Sequence, residues 1–237
     1  RTLAEKYGVK TYADYRKMLA DPEVDAVAVV TPDFAHADPI IAASEAEKHI
    51  IIEKPLATTI EDIKRIMEAL GRDEFKRSRC YVMVDFHNRW NPTIAQTKKS
   101  IEEGKLGQIL SAYYRLNDRI SVPTNMLSWA AKSSILWFLG SHTVDTLRYL
   151  FDDEVERVYS VSRSVVLKER GIDVPDFYQS VLEFNSGIVA TIENSWIIPN
   201  TNPNINDIKV NVTGSKGMIQ MDLTNSGLIE RFTESGA

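Results

Sequence analysis

The sequence predicts a two-part protein, a parallel α/β portion followed by a mainly antiparallel α+β portion. Three observations carry this expectation. Nearly continuous apolar runs at 25–31, 49–53 and 80–86 alternate with helical stretches, as parallel strands buried on both faces do. Beyond about residue 108 the apolar positions recur at every second residue instead, which suits strands with one wetter face. Short turn signals then replace the long connections that parallel strands require. The expected division is therefore 1–108 and 109–237.

Residues 1–8 read as the tail of a helix, with Leu3 and Tyr7 on one face and Gly8 as its stop, so the chain is expected to be truncated at its start. The end, Thr233 to Ala237, follows an apparent strand with no closing element, and the same is expected there. A short helix at 12–19 is stopped by Asp21-Pro22, and the strand 25–31 (DAVAVVT) ends at Thr31-Pro32. A helix over 37–48 leads to the strand 49–53. Thr58 and Glu61 form a capping box for a further helix, with Ile60, Ile63, Ile66, Met67 and Leu70 on one face. The strand 80–86 and a helix over 92–103 complete this part, giving βαβ units with right-handed crossovers. After the turn Gly104–Gly107, strands are expected at 109–118, 155–167, 178–184, 188–196, 208–213 and 217–223, with one helix at 134–151. The pair around Asn185-Ser186-Gly187 is a hairpin, its glycine supplying positive φ.

Composition narrows the function classes. The 237 residues are 43% hydrophobic and 26% charged, the profile of a globular chain. A net charge of -5 with interspersed signs offers no basic stripe, so nucleic acid is not an expected partner. The longest apolar stretches, such as 26–30, fall far short of the roughly 20 residues a membrane span needs. Cys80 is the only cysteine, which excludes an intrachain disulfide and a cysteine metal cluster and fits a reducing, cytoplasmic location; no metal is expected. Asn211-Val212-Thr213 matches a glycosylation acceptor, but so short a match without a signal peptide carries little weight.

Chemistry is concentrated at a few positions. Glu53-Lys54-Pro55 follows a buried strand directly, and in open α/β sheets ligands lie outside the carboxyl ends of strands. Lys54 is therefore aimed at a crevice, held out of the helical region by Pro55. Asn88 and Arg89 lie beyond the strand ending at Phe86, again at a carboxyl edge, although Arg89 equally suits a structural ion pair. A neutral His142 can accept a hydroxyl proton, and Gly140-Ser141 before it leave room for close approach by another molecule. In a continuous helix Phe138, His142 and Asp145 share a face; Asp145 either orients the imidazole or pairs with Arg148. Trp129, Trp137 and Phe138 offer rings that stack on a sugar or fill the core, the latter favoured for Trp137.

Taken together, VDAVAVVTP with His36 after it, HIIIEKPLATT, FHNRWNP with a helix ending GKLGQI, and GSHTVDTLRYL resemble the glucose-fructose oxidoreductase / inositol dehydrogenase (Gfo/Idh/MocA) family through most of the chain. The resemblance implies a Rossmann domain joined to an open-faced antiparallel sheet domain for substrate and oligomerisation. It also implies an oxidoreductase acting on CH–OH groups of sugars or polyols with NAD or NADP. On that basis Thr31, Pro32, Phe34 and His36 line the ribose and nicotinamide, and Glu53 and Lys54 reach the ribose hydroxyls and the reacting carbon. Lys54 then anchors the substrate oxygen, His142 moves the proton, Asn88, Arg89, Trp129 and Asp145 contact substrate, and the chain forms a homo-oligomer. The family's glycine-rich fingerprint is expected upstream of Arg1, together with the acidic or basic residue that separates NAD from NADP, so the chain as it stands is expected to bind dinucleotide poorly. Many catalytic members carry aspartate four residues before the histidine, where this chain has Phe138. That departure leaves open a silent ligand-binding or regulatory relative, or redox-assisted elimination or glycoside cleavage.

Overall fold

Among the described residues two hydrogen-bonded sheets organise the chain, a three-stranded parallel one and a seven-stranded mixed one. The computed structural model describes the backbone of residues 2–224 and 228–233 and the side chains of residues 4–224. The side chain of Leu3 and the chain end after Thr233 lie outside the described residues. Two compact units, Arg1–Asp85 and Phe86–Ala237, each bury an apolar core. The sequence pattern changes near 108, whereas the units divide after Asp85, because Ile94 and Leu106 are buried in the core of the second unit.

In the first unit, α1 (Thr2–Tyr7) and α2 (Tyr15–Leu19) precede β1 (Ala26–Val29), α3 (Ala37–Glu45) and β2 (His49–Ile52). Then come α4 (Ile60–Gly71), α5 (Asp73–Ser78) and β3 (Val82–Val84). The strands lie in the order β1-β2-β3, all parallel, as helical crossovers require. Val27, Val29, Ile50 and Ile52 pack with Ile40 and Ile66. The sequence expectation that these strands are buried on both faces does not hold in the described chain: Ile51 is exposed, as are Val82 and Met83. α4 also differs from expectation by one residue. Its N-cap is Thr59, whose Oγ1 accepts the Asp62 N–H at 3.1 Å, so Asp62 takes the place foreseen for Glu61. Only Ile66 and Ala69 of this helix are buried, while Ile60, Ile63 and Met67 are exposed, and Arg65–Asp38 and Arg72–Glu45 ion pairs link α4 to α3.

The second unit begins with a 3-10 turn, His87–Trp90, and α6 (Pro92–Glu102), whose first-position proline and Asn91 cap suit a helix start. β4 (Ile109–Arg119), α7 (Ser141–Phe151), β5 (Val155–Arg163), β6 (Phe177–Phe184), β7 (Val189–Ile198), β8 (Asn206–Gly214), β9 (Gly217–Asp222) and β10 (Leu228–Thr233) follow. The sheet order is β10-β9-β8-β4-β7-β6-β5, antiparallel except for the β4–β7 pair. Tyr114, Leu182, Ile192, Val210 and Ile219 share a core with Ile94 of α6 and with Leu147 and Leu150 of α7. Tyr113, Arg115, Glu193 and Lys209 form a wetter face, where Arg115 pairs with Asp207 at 2.7 Å and Tyr113 Oη donates to Glu193 at 2.9 Å.

One expectation fails here for a local reason. The strand foreseen over 155–167 ends at Arg163, because the buried Asp176 carboxylate accepts the N–H groups of Val165, Val166 and Leu167 at 2.8–2.9 Å and folds that segment into a turn. The helix foreseen over 134–151 is present without a break from residue 135 to 151, with a π-helical turn, Leu136–Gly140, leading directly into α7. Gly140 is needed for packing inside the chain: a Cβ there would lie 2.8 Å from Leu136 Cδ1 and 3.2 Å from Asn194 Oδ1. Its small size is thus used by its own neighbours rather than kept for an approaching molecule. Trp137, favoured as core, is 39% exposed.

Candidate active site

Six candidates belong to the first unit. β1 and β2 end side by side, with Glu53 N donating to Val29 O at 2.9 Å. Thr31 Oγ1 donates to Ala35 O at 3.1 Å, and Phe34 N donates to Asp33 Oδ1 at 2.7 Å, shaping the turn after Pro32. His36 is 1% exposed; its Nδ1 lies 2.8 Å from Pro55 O and its Nε2 2.9 Å from Thr31 O. The ring thus presents one nitrogen to each of the two carbonyl oxygens. In the structure His36 joins the turn after β1 to the turn after β2. Thr31 and Phe34, with Tyr15, Asp38 and Arg65, line a cavity of about 480 Å³. Glu53 and Lys54 are half-buried directly after β2, Lys54 N donates to Glu53 Oε2 at 3.2 Å, and the Lys54–Pro55 peptide is cis.

The remaining candidates belong to the second unit. His142 stands in the first turn of α7 and is 5% exposed. Its ring meets Phe86 edge-on at 6.4 Å between centroids and His87 at 4.6 Å, with 66° between the two imidazole planes. One helical turn on, the buried Asp145 is gripped by Arg89: Nε donates to Oδ2 at 2.8 Å and Nη2 to Oδ1 at 2.5 Å. This fork holds the guanidinium protonated beyond its ordinary range, burial opposing the effect. Arg89 also stacks over Phe86 and Tyr149. Arg148, the partner the sequence offered for Asp145, instead bridges to Glu154 at its Nε with a 2.8 Å bond.

Asn88 Nδ2 donates to Tyr114 Oη at 3.4 Å, and full burial pushes that phenol up to about 12. Phe138 packs against Trp196 at 5.9 Å and against the half-buried Trp129 at 6.2 Å. The structure therefore brings Arg89 to Asp145 and His87 to His142, and sets Trp129 in an aromatic group with Phe138. His87 was not singled out by sequence reasoning. It precedes Asn88 in the same motif, but its neighbour lies 55 positions away, a pairing no local pattern encodes. Among the described residues no group of three or more His, Cys, Asp or Glu side chains is placed to hold a metal ion. A buried imidazole beside an exposed one is an arrangement suited to taking up and releasing protons.

Comparison with known proteins places both units. Residues 1–85 match an oxidoreductase family's NAD-binding Rossmann fold, and residues 94–220 match the GFO/IDH/MocA C-terminal domain. The chain is similar to levoglucosan dehydrogenase of Pseudarthrobacter phenanthrenivorans, 32% identical over 91% of this chain and 60% of the relative. It is also similar to myo-inositol 2-dehydrogenase of Thermotoga maritima, 30% identical over 100% of this chain and 68% of the relative. A solved structure of levoglucosan dehydrogenase in complex with NADH and levoglucosan superposes with a TM-score of 0.85 at 32% identity, covering 99% of this chain and 64% of that one. The chain thus spans roughly two thirds or less of the length of these relatives. With both halves matched in order and little of the sequence left outside them, the chain belongs to the GFO/IDH/MocA family of oxidoreductases.

Proposed function

We propose that the full-length protein is a nicotinamide-dependent oxidoreductase acting on a hydroxyl-bearing carbon of a sugar, a polyol or a related ring compound. The observation that carries this reading is likeness across both units, over 91% and 100% of this chain, to dehydrogenases of levoglucosan and myo-inositol. The first unit fits NAD or NADP: the turns after β1 and β2 are tied together by His36, Thr31 and Phe34 open onto a cavity, and Glu53 supplies a carboxylate suited to ribose hydroxyls. Bound there, the nicotinamide supplies the hydride acceptor or donor. Lys54 is assigned the substrate oxygen, because an ammonium group stabilises an oxygen that becomes alkoxide-like as hydride leaves. His142 is assigned the hydroxyl proton. Asn88, Arg89, Trp129 and Asp145 are proposed to shape the substrate side, Arg89 and Asp145 acting as a paired unit.

The test is turnover of the full-length protein with NAD and with NADP across a panel that includes myo-inositol, scyllo-inositol and levoglucosan, followed by absorbance of the reduced cofactor. Reduction with at least one of these compounds is expected; none, with either cofactor, sinks the reading. One observation favours a second reading, a relative that binds sugars without turnover: Phe138, at the position of the family's aspartate, is packed among tryptophans and brings no carboxylate. Calorimetric binding of a panel member without reduction would identify that case.

A further inference from the structure

We propose that His87 is a positioning residue for proton transfer, relaying the proton between His142 and bulk water; this rests on the assignment of the hydroxyl proton to His142. The geometry supplies the argument. His142 is 5% exposed, so a proton it takes up has no broad direct path to solvent, whereas His87 is exposed. The two ring centroids lie 4.6 Å apart with 66° between the planes, which puts the imidazoles in edge contact, and Phe86 meets a second side of His142 edge-on. The turn carrying His87 is held against α7 by the Arg89–Asp145 fork, whose carboxylate lies three positions after His142, and a two-bond fork fixes orientation as well as distance. Phe138 is engaged with Trp129 and Trp196, and the second imidazole, His87, is a titratable neighbour in ring contact with His142.

Written as a balance, the substrate carbon gives hydride, with its two electrons, to the oxidised nicotinamide dinucleotide, and the hydroxyl proton goes to His142. A proton passes from that ring to His87 and then to water. In the reverse direction both steps run backwards.

The experiment compares His87→Gln and His87→Phe with the parent full-length protein. His87→Phe preserves a ring at the contact but cannot carry a proton, so a role confined to packing leaves it unchanged. In cofactor-free protein, NMR is expected to show the His142 ring N–H exchanging with solvent at least about tenfold more slowly in both variants. In turnover, kcat is expected to fall about tenfold or more with KM within about twofold, at or below the usual worth of a positioned proton-transfer group. Added imidazole should restore kcat in the variants and leave the parent unaffected. Parent-like exchange in both variants, or a kcat loss that imidazole does not relieve, overturns the relay. If the parent shows no turnover at all, the functional reading fails while the exchange measurement still decides the relay.

Discussion

A half-buried ammonium group at the end of β2 contributes most where negative charge grows on oxygen, and little to packing. Lys54→Ala is accordingly expected to lower kcat by about a hundredfold or more with the melting temperature unchanged, in steady-state assays paired with thermal denaturation. Near-parent turnover would remove Lys54 from the chemistry. Phe138→Asp tests the missing carboxylate. Because this side chain packs between Trp129 and Trp196, an ionised carboxylate there is expected to cost about 3 kcal/mol or more in denaturant titrations and to add no activity. Lys54 was legible in the sequence because the residue after a buried strand inherits the strand's direction. His87 and the Arg89–Asp145 fork were not, since each depends on a turn meeting a helix about 55 positions away.

Turns and strand ends decide more at the scale of elements than the apolar pattern does. Asp176, 2% exposed, satisfies three consecutive backbone N–H groups that would otherwise extend β5. Asp176→Ala is expected to cost about 3 kcal/mol, since charge-assisted bonds to a buried acceptor are lost together. At Gly214, a Cβ would stand 2.2 Å from Leu106 O, so Gly214→Ala must move backbone and lower the melting temperature, where an alanine at open Gly71 should not. Asp153 pins the β6–β7 turn by accepting the Ser186 N–H at 2.9 Å, and hydrogen bonding by Ser186 holds its carboxyl below the ordinary 3.8. A depressed folded value means stability present above the unfolded value and lost as pH falls below about 4. Asp153→Asn should therefore lower the melting temperature at neutral pH and flatten its dependence on pH on the acid side, where the parent loses the same contribution. The shortening of the predicted β5 has such a cause, a side chain capturing backbone N–H groups from outside its own segment.

Two separate cores characterise the whole molecule, one under the parallel sheet and one between the mixed sheet and its helices α6 and α7. Calorimetry is expected to resolve more than one unfolding transition, with Ile66→Ala lowering one and Leu147→Ala the other, each by about 2–5 kcal/mol. A single transition shifted by both variants would refute that independence. The sequence by itself determined most of the order of strands and helices, though not the short helix Asp73–Ser78, the change from parallel to mainly antiparallel organisation, the family, and the placing of Lys54 just after a strand and of His142 on a helix, because periodicity, capping and turn chemistry act over a few residues. Only the tertiary structure decided which side chains hold one another: His36 between two turns, Phe138 among tryptophans, Arg89 on Asp145, and His87 over His142. Such pairings arise from packing between segments distant in the chain, and hydrogen-bond geometry and close contact select them in space where local propensity is silent.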